Sequence, residues 1–324
     1  MKDLYGRNID YMRVSITDRC NLRCKYCTPY GIKNVNHSDI LTYEEILRIC
    51  KCVSELGIKK IKITGGEPLV RLDSENLIRR IKSLPLIEKV TITTNAVLLQ
   101  EKLHDFQAID LDGINISLDT LNAEKYKEIT GRDNFKKVWD SIEAALDTDI
   151  RIKLNCVSIG GFNDDEFIDF FKLCEKKNID IRFIEMMPIG YGKQFKSIKG
   201  VEIFKLLQNE YSDLYEVKEK RGNGPARYFK SPSMKGCIGF IDAVNHKFCD
   251  TCNRIRLTSE GYLKSCLYFN YGIDLRSMIR SGADDESIKE AIKGAIINKP
   301  KEHKFYRLED ENKVEVKSMA QIGG

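Results

Sequence analysis

The sequence predicts an α/β chain built on a parallel sheet and ending in a smaller α+β lobe. Three observations carry this. Six short β-rich runs alternate with helical stretches between residues 11 and 187, those stretches keep apolar residues on one stripe, and the pattern changes beyond residue 199. Strand–helix repeats bury a sheet under a layer of helices. The alternation by itself leaves both a doubly wound sheet and a barrel open.

The strands read at 12–16, 60–63, 90–93, 113–117, 152–157 and 181–184. The first helix opens at Thr42-Tyr-Glu-Glu45, a capping-box pattern with Thr42 at the N-cap and Glu45 reaching back. Ile46, Ile49, Val53 and Leu56 continue it as one stripe. Phe135, Val138, Ile142 and Ala145 form a second stripe, and Phe167, Phe170, Phe171 and Cys174 a third. Past residue 199 a helix at 201–210 precedes short strands at 214–217 and 227–230, separated by Gly/Pro turns. The expected domains are therefore 1–199 and 200–324, with no internal repeat.

The chain has 324 residues, 42% of them hydrophobic and 31% charged, enough to bury a full enzyme core. No apolar stretch reaches the length that spans a bilayer, so no membrane association is expected. The first residues lack the apolar core of a secretory signal, and a cytoplasmic protein is expected. The net charge of +5 suits an anionic substrate but decides little. Acidic residues interleave with dispersed basic ones, which argues against nucleic-acid binding. There are 11 cysteines, an odd number, so metal binding or burial is favoured over a disulfide framework. Cys50, Cys52, Cys156, Cys174 and Cys237 read as small core residues.

The other six cysteines form two groups. Cys20, Cys24 and Cys27 follow the first strand with spacing C-x3-C-x2-C. Three thiolates on one short loop can hold three irons of a [4Fe–4S] cluster and leave the fourth open to a chelating molecule. Structural zinc sites close with four ligands, and no fourth cysteine lies nearby. With Tyr26 before the last cysteine, the segment resembles the radical S-adenosylmethionine (SAM) superfamily. That resemblance implies that SAM binds the open iron and is cleaved to a 5′-deoxyadenosyl radical. It also implies a partial (β/α)6 TIM-like barrel, which resolves the sheet question.

Thr64-Gly-Gly66-Glu67-Pro68 follows the second strand; glycines there let backbone approach a ligand. In the superfamily this stretch lines the SAM amino group. Thr93-Thr-Asn95, Ser117-Leu-Asp119 and Met187 close further strands, and barrel enzymes build their sites from such ends. Lys153 and Asn155 share one face of the fifth strand.

Cys249, Cys252 and Cys266 give C-x2-C-x13-C. Spacing alone leaves zinc and iron–sulfur open, because Cys237 or His246 could supply a fourth ligand. Arg254 and Arg256 follow at once, and paired guanidiniums suit a triphosphate. Together with the terminal Gly323-Gly324, these motifs resemble the molybdenum cofactor biosynthesis protein A family of GTP 3′,8-cyclases, over essentially the whole chain. By that resemblance Arg13, Lys62, Thr93, Lys153, Arg254 and Arg256 contact GTP, and Tyr26, Gly66, Ser117 and Met187 contact SAM. Both cysteine trios hold [4Fe–4S] clusters, the second binding guanine at its open iron. Gly323 and Gly324 enter the active site and are needed for activity. Three departures stand out: Lys62 where the family usually has arginine, Thr28 for a common methionine, and Ala96 for the usual glycine.

The resemblance implies that GTP becomes (8S)-3′,8-cyclo-7,8-dihydroguanosine 5′-triphosphate in a cavity with one cluster at each end. It implies a reductant protein such as a flavodoxin or ferredoxin, and a downstream cyclic pyranopterin monophosphate synthase. A homodimer is left open. Two rivals are a radical SAM maturase acting on a peptide and a zinc-stabilised nucleotide-binding protein without catalysis.

Overall fold

The computed structural model describes residues 1–31, 35–219, 221–305 and 314–323. The chain divides into two compact units, one of Met1–Asn21, Tyr30–Thr93 and Cys249–Gly324, the other of Leu22–Pro29 and Thr94–Phe248.

The first unit begins with β1 (Tyr11–Ser15), α1 (Tyr43–Glu55), β2 (Lys60–Thr64), α2 (Ser74–Lys82) and β3 (Lys89–Thr94). The capping box forms as expected: Thr42 Oγ1 accepts from the Glu45 N–H at 3.1 Å, and the Glu45 carboxylate accepts from the Thr42 N–H at 2.7 Å. Behind it Ile46, Ile49 and Val53 are buried, while Leu56 caps the C-terminus. β1, β2 and β3 run parallel.

The second unit holds α3 (Leu103–Ala108), β4 (Ile114–Ser117), α4 (Ala123–Thr130), α5 (Phe135–Leu146), β5 (Ile152–Ser158), α6 (Phe167–Lys176) and β6 (Asp180–Glu185). It ends with α7 (Gly200–Glu210), β7 (Tyr215–Val217), β8 (Arg227–Lys230) and β9 (Ile238–Ile241). β4, β5, β6 and β9 are parallel, and β8 and β7 continue the sheet antiparallel. Its core includes Phe183, with Phe167, Phe170 and Phe171 of α6 at ring-centroid distances of 5.2, 5.9 and 5.8 Å. Such edge contacts suit the aromatic quadrupole.

The chain returns to the first unit with β10 (Arg254–Leu257), β11 (Tyr262–Lys264), β12 (Ile273–Asp274), α8 (Leu275–Arg280), α9 (Asp285–Ile297) and α10 (Met319–Ile322). β10 lies parallel to β1, extending that sheet, and β11 and β12 add antiparallel strands. Met12, Val14, Ile61, Ile63, Val90, Ile92, Ile255 and Leu257 are fully buried on one face of these strands. The alternate positions carry the polar side chains that concern function. Among the described residues no helix is long and apolar enough to cross a membrane.

Candidate active site

Strand register assembles a row of cations in the first unit. Arg256 pairs with Arg13, Arg13 with Lys62, and Arg256 with Lys264 on the other side. Lys62, Arg256 and Lys264 are buried, as is Arg254 one step along the same face of β10. Lys264 pairs with Glu315, and Arg256 donates to the Gly323 carbonyl. The buried Nε of Arg13 has no hydrogen-bond partner among the described residues. Burial first, then the Arg13 and Arg254 charges, pushes the Arg256 pKa well down. Like charges at this spacing repel strongly when shielded from water. A row of this kind is stable when a multiply charged anion lies across it.

The second cysteine trio adjoins that row. A 3-10 turn (Cys249–Thr251) ends with the Cys252 N–H on the Cys249 carbonyl at 3.2 Å. Asn253 then fastens the turn to β1: its Nδ2 donates to Asp10 Oδ1 at 2.7 Å, and its carbonyl accepts from the N–H groups of Asp10 and Tyr11. Burial alone would raise the Cys252 thiol, but Lys299 and Arg254, with the Arg254 N–H and Arg7, bring it down to about 7. Burial raises Cys249. All three thiols are partly exposed and free of disulfides. A trio with one thiol poised to ionise near neutrality fits iron, since the thiolate is the ligand.

Cys237 is buried, close enough to Cys174 to influence its thiol. Cys50, Cys52, Cys156 and Cys174 are buried too, as small core residues. Among the described residues no three His, Cys, Asp or Glu side chains are drawn in around a single metal ion. A four-iron cube spreads its thiolates over different irons and needs no such convergence.

For the first trio, Cys20 belongs to the first unit and Cys24 and Cys27 to the second. The N–H groups of Cys27 and Thr28 both bond the Cys24 carbonyl at 2.9 Å. Arg23 and Lys25 donate their N–H groups to the carbonyls of Thr130 and Ile129 in α4, pinning the loop. Tyr26 OH donates to Asp119 Oδ2 at 2.7 Å, and Asp119 Oδ1 accepts from the Val157 N–H at 2.9 Å. Burial pushes Asp119 up to about 6, against those two bonds.

Gly65 and Gly66 press on the start of the same loop. A Cβ on Gly66 would lie 2.4 Å from the backbone oxygens of Asp18 and Arg19, and one on Gly65 2.6 Å from that of Thr17. The Gly66 N–H bonds the Thr17 carbonyl at 2.8 Å. The glycine pair is thus required by packing against the cysteine loop.

In the second unit Lys153 pairs with Asp180 at 3.2 Å and donates to Tyr228 OH at 3.1 Å and to the Arg221 carbonyl. Asp180 also accepts from Arg221 at 2.8 Å. Ser117 and Asn155 are register partners, as are Asn155 and Arg182. Asn155 Oδ1 and Arg182 Nε are buried without partners among the described residues. Met187 follows β6, and Thr93 lies near the end of β3. Gly323 ends α10, and Gly324 lies outside the described residues. Sequence reasoning passed over Lys264 and Arg182. A cation inside the apolar run of β6 was a readable signal for Arg182; Lys264 needed the register.

The profile described as Radical SAM superfamily matches residues 14–174, and that described as Molybdenum Cofactor Synthesis C matches 179–305. A Clostridium perfringens protein named GTP 3′,8-cyclase is 46% identical over 326 residues, covering 100% of both chains. Proteins of the same name from Desulforamulus reducens and Listeria monocytogenes are 43% and 42% identical, each over 100% of this chain and 100% and 99% of theirs. The chain belongs to the GTP 3′,8-cyclase family.

Streptococcus suis SuiB has a similar fold, with a TM-score of 0.60 at 14% identity, covering 90% of this chain and 66% of that one. The fold class expected from the sequence, radical SAM α/β, is therefore borne out. So are the radical SAM cyclase class and its iron–sulfur and SAM cofactors. Against the family's usual glycine, Ala96 is fully buried with φ 63, a left-handed backbone. Glycine takes that conformation without penalty, and alanine holds it at a cost. Thr28 is buried, and Lys62 keeps a charge in the row without the planar fork of arginine.

Proposed function

We propose that this chain converts GTP into (8S)-3′,8-cyclo-7,8-dihydroguanosine 5′-triphosphate, the first step of molybdenum cofactor biosynthesis. The observation that carries it is the row Lys264–Arg256–Arg13–Lys62, four cations set side by side by strand register, three of them buried. A triphosphate brings negative charge to such a row and matches the guanidinium fork.

Bound clusters and SAM supply the radical chemistry, and the protein positions and shields it. Cys20, Cys24 and Cys27 hold one [4Fe–4S] cluster, and Cys249, Cys252 and Cys266 the other. Tyr26, Gly66, Ser117 and Met187 line SAM. Arg13, Lys62, Arg254 and Arg256 orient GTP, with Thr93 and Lys153. Lys153 shares Asp180 with Arg221, which holds that carboxylate independently. Gly323, held by Arg256, and Gly324 after it are assigned as the tail residues needed for activity. Burial of Arg254 and Arg256 keeps water from the reacting centre.

The reading assigns residues 1–199 to the radical SAM domain and 200–324 to the domain of the second cluster. Two successive matched profiles support a two-part chain, although they divide earlier, between 174 and 179. A flavodoxin- or ferredoxin-type protein delivers electrons in the cytoplasm, and a cyclic pyranopterin monophosphate synthase takes the product. A peptide-modifying maturase would account for the cysteines but not for the cation row.

Anaerobically reconstituted protein with reductant, SAM and GTP is expected to yield 5′-deoxyadenosine and a cyclised nucleotide. Cleavage of SAM with GTP returned unchanged overturns the substrate assignment.

A further inference from the structure

Two buried cations hold the backbone around all three cysteines of the second trio. The Arg7 Nη1 donates to the carbonyl of Cys249 at 2.9 Å and to that of Lys301 at 2.8 Å. Its Nη2 donates to the carbonyls of Lys299 at 3.2 Å and Pro300 at 2.8 Å. Lys299 Nζ donates to the carbonyl of Arg254, two residues after Cys252, at 3.1 Å. It also donates to the carbonyl of Ser265, the residue before Cys266. Each ligand-bearing segment is therefore tied to one cation, and Arg7 ties the two cations together through the Lys299 carbonyl.

The two differ in charge balance. Arg7 is ion-paired with a fully buried Asp3 side chain. Lys299 is 3% exposed and has no carboxylate within ion-pair distance among the described residues. A buried ammonium whose partners are all carbonyls lacks its counter-charge. Three thiolates on a [4Fe–4S] core provide it: the core carries two positive charges when oxidised, leaving one net negative charge that grows on reduction.

We propose that Lys299 is the counter-charge of the second cluster and, with Arg7, a positioning residue for its three cysteines. This rests on the assignment of a cluster to Cys249, Cys252 and Cys266. The brace acts on the metal site through backbone and charge without touching substrate. It sets how tightly the cluster is kept and how readily it accepts an electron.

The test uses the full chain with Cys24→Ala and Cys27→Ala, so that only the second cluster is read. Lys299→Met removes the charge and keeps the stem; Lys299→Arg keeps the charge. Iron and sulfide per chain and the midpoint potential are measured for each. Lys299→Met is expected either to lose about half or more of the iron or to shift the one-electron reduction equilibrium about tenfold toward the oxidised form, 59 mV. Lys299→Arg is expected to restore both. Unchanged iron and potential in Lys299→Met, or no rescue by arginine, overturns the proposal. Should Lys299→Met fail to fold, Arg7→Lys decides. It keeps a charge but cannot bridge four carbonyls, so iron should fall about twofold or more; wild-type iron overturns the brace. Replacing Cys249, Cys252 and Cys266 by Ala in the same background separates the two failures: iron retained there sinks the cluster assignment itself.

Discussion

Arg256 donates from Nη1 to the carbonyl oxygen of Gly323, so the penultimate residue of the chain is held by a member of the cation row. In the proposed site one guanidinium serves both the substrate's phosphates and the tail. Replacing Arg256 by Met is expected to weaken GTP binding about 10- to 100-fold, the worth of a charge-assisted bond of roughly 1.5–3 kcal/mol. SAM binding should change less than about twofold. Calorimetric titration with each ligand checks this, and unchanged GTP affinity removes Arg256 from the site.

Gly66 touches the cysteine loop through backbone atoms that have no rotamer to yield. With a Cβ at 2.4 Å from two carbonyl oxygens, Gly66→Ala must displace residues 18 and 19. A stability loss of about 1–3 kcal/mol is expected, together with loss of iron from the first cluster. Denaturant unfolding and iron analysis read the two effects; a variant with full iron and wild-type stability contradicts the packing described.

Asp119 gives the fold a pH dependence of known sign. Its carboxyl is raised from 3.8 to about 6, with burial the largest cause. A raised acid favours the folded state while protonated, so its contribution is complete below about pH 4 and is lost as pH climbs through 6. Two units amount to roughly 3 kcal/mol. In Asp119→Asn this loss is absent. The stability difference between wild type and variant, from unfolding curves at pH 4 and pH 7, should change by about that amount in the variant's favour. A pH-independent difference counts against it.

Lys153 and Arg221 share Asp180, so removing one leaves the carboxylate neutralised by the other. Lys153→Met is expected to cost under about 2 kcal/mol in stability, against the 3–5 kcal/mol of an orphaned buried charge. GTP affinity should fall about tenfold or more. Combining it with Arg221→Met should destabilise by more than the separate losses together. Thermal and denaturant unfolding of the three variants measures that coupling.

Local features were legible in the sequence, and distant pairings were not. The Thr42–Glu45 capping box spans four residues, and its chemistry is complete within them. The apolar stripes of α1, α5 and α6 are readable because helical periodicity is local. Arg254 and Arg256 could be placed on one face for the same reason. That Arg256 would lie beside Arg13, and Lys264 beside Arg256, depends on strand register between distant segments. The Lys153–Asp180 pair is of the same kind, since both residues look like ordinary strand charges until β5 and β6 are aligned. Arg7 and Lys299 carried no motif at all. Their significance lies in carbonyl oxygens, which every residue has and no sequence pattern marks.

The parallel pairing of β1 with β10 has a consequence for synthesis. Asp10 and Asn253, hydrogen-bonded at the head of that pair, are 243 residues apart. A ribosome has therefore finished about three quarters of the polypeptide before the opening strand can find this neighbour. Chains that must close such long loops fold late and expose unpaired edges meanwhile. Iron loaded while the chain is still emerging would meet the first three thiols in an unfinished unit, so orderly maturation favours delivery of metal after release.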